Sequence, residues 1–189
     1  MSRMIPSYIS KKAPRGEILI FKFLKEHPAT ADWTVLHSFN LPEHGKRMKG
    51  EIDFLIMIPE RGLISLEVKS HDYVARTNGM WSYGNEPSSR RSPFEQAEEG
   101  MYAFRERIKP LSRGLPFTSA VAFTHTRFAE PAVEWKPWQV IDSSSMNADA
   151  FVRRIINVAE ENLNVLATMK ADAARKASVA WYRPADDAP

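Results

Sequence analysis

Asp53, Glu67 and Lys69 are the residues of this chain whose types and spacing could do chemistry. Glu67 and Lys69 stand two apart in Leu63 to Ser70, where Ile64, Leu66 and Val68 alternate with Ser65, Glu67 and Lys69. Alternation with period two is strand patterning, so a carboxylate and an ammonium emerge side by side on one face. Asp53 lies in Glu51 to Ile58, with Ile52, Phe54, Ile56 and Ile58 on one face and Asp53, Leu55 and Met57 on the other. The turn Pro59 to Gly62 joins the two segments into a hairpin that can bring both carboxylates together. Two carboxylates repel unless a cation sits between them. Oxygen ligands without cysteine or clustered histidine favour Mg2+ or Mn2+ over zinc. Such an ion, with a lysine to steady charge on phosphorus, suits hydrolysis of a phosphodiester.

The same spacing has a plainer explanation. Asp, Glu and Lys alternating along a strand ordinarily form the wet face of an antiparallel sheet, where cross-strand salt bridges contribute little. Against this, both segments are otherwise Ile, Leu, Val, Phe and Met, a composition suited to burial. Charges are uncommon in such surroundings unless they are paired or bound to metal.

The elements that must position these residues are readable from period and punctuation. Gly16 to His27 reads as a short amphipathic helix with Ile18, Phe21 and Leu24 inward, and Pro28 stops it. Trp33 to Phe39 reads as a strand. Arg76 to Tyr83, centred on Asn78 and Gly79, reads as a second, smaller hairpin. Ser92, Pro93 and Glu95 spell a capped helix start, and the helix should bury Phe94, Ala97, Met101, Phe104 and Ile108, with Gln96, Gly100 and Ala103 along one flank. Phe117 to Thr124 reads as a buried strand and Gln139 to Asp142 as a shorter one. Asn147 to about Lys170 reads as a long helix with Phe151, Ile155, Val158 and Leu166 inward, and Ala177 to Pro189 as a loose tail.

Composition bounds the rest. The 189 residues, 43% of them hydrophobic and 26% charged, suit one globular domain. No apolar run approaches the length of a membrane span, the N-terminus shows no secretory signal, and the absence of cysteine makes a reducing cytoplasm the expected compartment. A formal charge of +3 is too weak to establish a polyanionic partner. Lys46, Arg47 and Lys49 before Asp53, and Arg90 and Arg91 before the helix at Pro93, could hold a phosphate backbone without reading its sequence, or could be solvated loops. His44 and His71 could touch substrate and Trp81 and Tyr83 could stack on a base, although lone surface histidines and packing aromatics are commoner.

Taken in order, Gly16-Glu17, Gly50-Glu51-Ile52-Asp53-Phe54-Leu55-Ile56, Gly62-Leu63-Ile64-Ser65-Leu66-Glu67-Val68-Lys69 and Pro93-Phe94-Glu95-Gln96-Ala97 resemble the nuclease-related domain family, NERD, over roughly Gly16 to Val121. That family is similar to the PD-(D/E)xK phosphodiesterases. The resemblance implies an α/β, restriction-endonuclease-like fold with a central mixed β-sheet flanked by helices. It implies Asp53 and Glu67 as ligands of Mg2+ or Mn2+, with the carbonyl of Val68 as a third, and Lys69 as the catalytic lysine. Glu17 matches an acid of the first helix that can approach the metal through water. Gln96 matches a helical glutamine that orients water or phosphate. Related families often place a tyrosine four positions later, where this chain has Gly100, and Tyr102 is the candidate substitute.

The implied activity is metal-dependent hydrolysis of DNA, with RNA left open as substrate; the alternative is a nuclease-like module that grips nucleic acid or protein without cutting. Proteins resembling this family often join the domain to a helicase, kinase or zinc-finger region, so a fused or associated helicase is an expected partner. A homodimer is another, because many enzymes that cut both strands pair two sites by symmetry. The expected layout is an N-terminal extension over 1–15, a NERD nuclease-like domain over 16–170, and a tail or linker over 171–189.

Overall fold

The structure, a computed structural model, describes residues 1–41 and 50–181. His44, Lys46, Arg47 and Lys49 lie outside the described residues. The strands are β1 (Arg3–Ile5), β2 (Thr34–Leu41), β3 (Gly50–Ile58), β4 (Gly62–Lys69), β5 (Val74–Thr77), β6 (Met80–Tyr83), β7 (Phe117–Phe123) and β8 (Val140–Ile141). The helices are α1 (Arg15–Glu26), α2 (Pro93–Arg107) and α3 (Ala148–Trp181).

β3 and β4 form the expected hairpin, with Phe54 opposite Leu66 and Ile56 opposite Ile64. It sits inside a six-stranded sheet of order β1-β2-β3-β4-β7-β8, while β5 and β6 pair separately. β4 runs antiparallel to β3 but parallel to β7, with Glu67 beside Val121 and Lys69 beside Phe123. Parallel pairing requires a long crossover, and here the crossover carries the small hairpin and α2.

Both faces of the sheet are covered. On one, Ile20, Phe21 and Leu24 of α1 and Phe151, Val152, Ile155 and Val158 of α3 pack on Phe54, Ile56, Ile64, Leu66 and Val68. On the other, Phe104 of α2 packs with Leu55 and Leu63, while Phe94 and Ala97 join Val121, Phe123 and the aromatics of the small hairpin. Residues 63–68 of β4 are buried without alternation, so Glu67 and Lys69 do not form a wet face. Helices on both sides of a mixed sheet give the restriction-endonuclease-like arrangement that the resemblance implies.

Departures from the sequence reading have local causes. Ile52 packs with Leu55 and Phe104 on the α2 side rather than with Phe54. Regularity fails beside it: pairing with β4 reaches Phe54 opposite Leu66 and goes no further, and Ser38 of β2 interrupts the other edge at φ 47°. α3 continues past Lys170 to Trp181. Its alanine-rich last turns have high helix propensity and no glycine or proline, so nothing local ends them sooner. Among the described residues, no helix is long and apolar enough to cross a membrane.

Candidate active site

The last residues of β4 lie at the C-terminal ends of the parallel pair β4–β7, the edge where open α/β sheets present ligand-binding groups. Glu67 is 8% exposed, and a carboxylate buried among apolar strand neighbours needs a partner. Lys69 supplies it, donating from Nζ to Glu67 Oε1 at 2.6 Å. The same ammonium donates to Gln96 Oε1 at 3.3 Å. Gln96 is steadied in turn by its own Nε2, which donates to the Ser92 carbonyl at 3.3 Å.

That amide is in place because α2 begins where its sequence says. Ser92 Oγ accepts the Phe94 N–H at 3.1 Å, Glu95 Oε2 accepts the Ser92 N–H at 2.9 Å, and Pro93 opens the first turn. Gly100 then lets the helix press on the sheet: a Cβ there would stand 2.9 Å from Ile52 Cγ1 and 3.4 Å from Ser65 Oγ. No tyrosine fits at this position. Tyr102 is 52% exposed, so it does not take that tyrosine's place either.

Asp53 meets this group from β3. Where the ladder to β4 stops, its Oδ2 accepts the Val68 N–H at 2.7 Å, standing in for a backbone carbonyl. Burial pushes the Asp53 carboxyl up to about 8, the negative charge of Glu67 adds to the rise, and Glu17 adds a smaller push; the Val68 N–H and Lys69 oppose it. The carbonyl of Lys69 accepts the Thr124 N–H on the β7 side. Successive carbonyls along a strand point to opposite edges, so that of Val68 faces the Asp53 side.

Asp53, Glu67, Val68, Lys69 and Gln96 are thus brought together. Glu17 stands close enough to act on Asp53 electrostatically. Among the described residues, no group of three or more His, Asp and Glu is gathered as a complete metal cage. Two carboxylates and a carbonyl are nevertheless donor types that suit a hard cation keeping several of its waters, and such a cation would offset both the burial and the Glu67 repulsion that raise the Asp53 carboxyl.

Other candidates fall differently. Trp81 is 1% exposed within a cluster of Phe94, Phe128 and Trp135, so it packs and is not offered to a base. Tyr83 is buried with its ring centroid 5.6 Å from Lys69 Nζ, and its hydroxyl has no hydrogen-bond partner among the described residues. Burial, with Glu67 and Glu86 nearby, raises that hydroxyl's pKa above the ordinary tyrosine value. His71 rests on the Tyr83 ring and pairs with Glu86 at 3.1 Å. Arg91 is tied to Glu99 of α2. A cavity of about 400 Å³ lined by Arg76, Arg90, Trp135 and Gln139 does not include Asp53, Glu67 or Lys69.

Sequence reading passed over Ser70, whose Oγ accepts the Gly16 N–H at the start of α1 at 3.0 Å. Its position directly after Lys69 is the one signal that could have marked it. Comparison with known proteins returns no curated protein and no solved structure that matches the chain. A family model does match, over residues 12–124, and it is described as the nuclease-related domain. The matched span runs from just before α1 to just past β7 and so contains every residue of the converging group, as well as more than half of the chain. On that match, the chain belongs to the nuclease-related domain (NERD) family.

Proposed function

We propose that this protein is a divalent-metal-dependent nuclease that hydrolyses phosphodiester bonds of DNA. The observation that carries the reading is the convergence of Asp53 and Glu67, with Lys69 2.6 Å from Glu67, at one end of a sheet covered on both faces. Asp53, Glu67 and the Val68 carbonyl would hold Mg2+ or Mn2+. When bound, such an ion polarises a phosphate and lowers the pKa of a coordinated water. Lys69 would hold negative charge growing on the phosphate, a role supported by the hydrogen bond from its ammonium to Gln96. Glu17 would act on the same centre through water. Membership of a nuclease-related family supports the assignment.

A second reading is a nuclease-like module that binds nucleic acid without cutting. The ion pair between Lys69 and Glu67 favours it, since the pair already neutralises one of the two carboxylates. One assay separates the two. Incubated with linear duplex and single-stranded DNA in Mn2+ or Mg2+, the protein should cut, and EDTA should abolish cutting. Asp53→Ala and Lys69→Ala should each lower the rate by roughly 10³-fold while DNA binding persists. Binding without cleavage in every metal would establish the module instead.

A further inference from the structure

α1 begins without a cap of its own. Pro14 precedes it and offers no side-chain hydrogen bond to the first turn. The Gly16 N–H, one of the donors that a helix start leaves unsatisfied, is taken by Ser70 Oγ from 54 positions away. The approach is so close that residue 16 has no room for a side chain: a Cβ there would stand 2.3 Å from Ser70 Oγ and 2.4 Å from Thr124 Oγ1. Thr124 closes the same junction by donating its N–H to the Lys69 carbonyl at 3.0 Å. The start of α1 is therefore fastened to the ends of β4 and β7, directly beside Lys69. The residue that follows Gly16 is Glu17, which stands next to the residue so fastened.

We propose that Ser70 is a positioning residue for the metal centre: by holding the Gly16 N–H it sets where Glu17 stands relative to Asp53 and Glu67. The proposal rests on the metal-centre reading given above. It accounts for the Gly16-Glu17 pair as one device, in which glycine permits the approach and the acid uses it. Outer groups that orient a metal's ligands commonly change metal affinity by about 10-fold or more when removed.

The test is Mn2+ affinity, measured by calorimetry on the full chain and on Asp53→Ala, Glu17→Ala, Ser70→Ala and the Glu17→Ala/Ser70→Ala double variant. Ser70→Ala should weaken Mn2+ binding by about 10-fold. In the Glu17→Ala background it should change affinity no further, because a residue that acts through another has nothing left to act on. Exchange of the Gly16 amide, protected in the wild type, should become fast in Ser70→Ala. Tm should fall by about 4 °C, as for a lost helix cap. Wild-type affinity in Ser70→Ala, additive losses in the double variant, or an unprotected Gly16 amide in the wild type would each overturn the proposal. If Asp53→Ala binds Mn2+ as tightly as wild type, the metal-centre reading itself fails and this proposal fails with it. Loss in Asp53→Ala without loss in Ser70→Ala sinks the role of Ser70 alone.

Discussion

Asp53 satisfies the Val68 N–H as a backbone carbonyl would, while burial and Glu67 keep its proton on up to about pH 8. In the unfolded chain it would titrate near the ordinary carboxylate value of 3.8, so between that pH and about 8 the folded form binds the extra proton. Stability in EDTA should thus be full below the lower value and decline as pH rises toward the higher, by at most about 1.4 kcal/mol per unit. A divalent cation favours the ionised form, so the rise in Tm on adding Mn2+ should grow between pH 6 and 8, and Asp53→Asn should flatten both trends. Calorimetric melts with and without metal check this; parallel curves at every pH would contradict it. The Tyr83 hydroxyl gives a second prediction. It is buried without a partner among the described residues, so Tyr83→Phe should leave Tm unchanged or slightly raised in a thermal melt. At this scale the sequence was most informative: two-residue parity placed Glu67 and Lys69 on one face, and the resemblance supplied Gln96. Ser70 stayed hidden because its partner, the Gly16 N–H, comes from a segment far away in the chain.

The elements position these residues by contacts that differ in how local they are. The α2 start was legible because a capping box is written within consecutive residues, Ser92 to Glu95. The side taken by Ile52 was not, because it depends on where the β3 ladder breaks against both neighbours. Trp81 takes the packing role that is commoner for a hairpin aromatic, with α2 and the segment carrying Trp135 closing over it. Gly100 allows two effects to be weighed. Helix propensity alone would make Gly100→Ala stabilising by about 1 kcal/mol. Crowding against Ile52 at 2.9 Å opposes this, and overpacking of this kind costs about 1–3 kcal/mol. Urea unfolding should show a net loss of stability. Cleavage should slow as well, because α2 carries Gln96 away from Lys69. A stabilised Gly100→Ala would show that α2 does not press on the sheet as described.

Across the whole molecule, the class of fold followed from the family resemblance, but the joining of β4 to β7 left no sign in period or composition. That pairing is parallel, spans the crossover through α2, and leaves no local pattern in the residues it brings together. The end of α3 was misread for a related reason: among its described side chains the last buried are Val158, Ala159 and Asn162, so the turn that follows them depends on propensity rather than on packing with the sheet. Removing residues 171–189 should accordingly leave Tm within about 2 °C of the full chain. Among the described residues, Val165 is 41% and Met169 63% exposed on the stretch that would remain. An anomalous-scattering map from a crystal grown with Mn2+ would show whether both carboxylates converge on a hard cation beside the Lys69 ammonium. The expected map has a peak coordinated by Asp53 and Glu67, with Lys69 no longer bonded to Glu67. A map without that peak, in which Lys69 still holds Glu67, would contradict it.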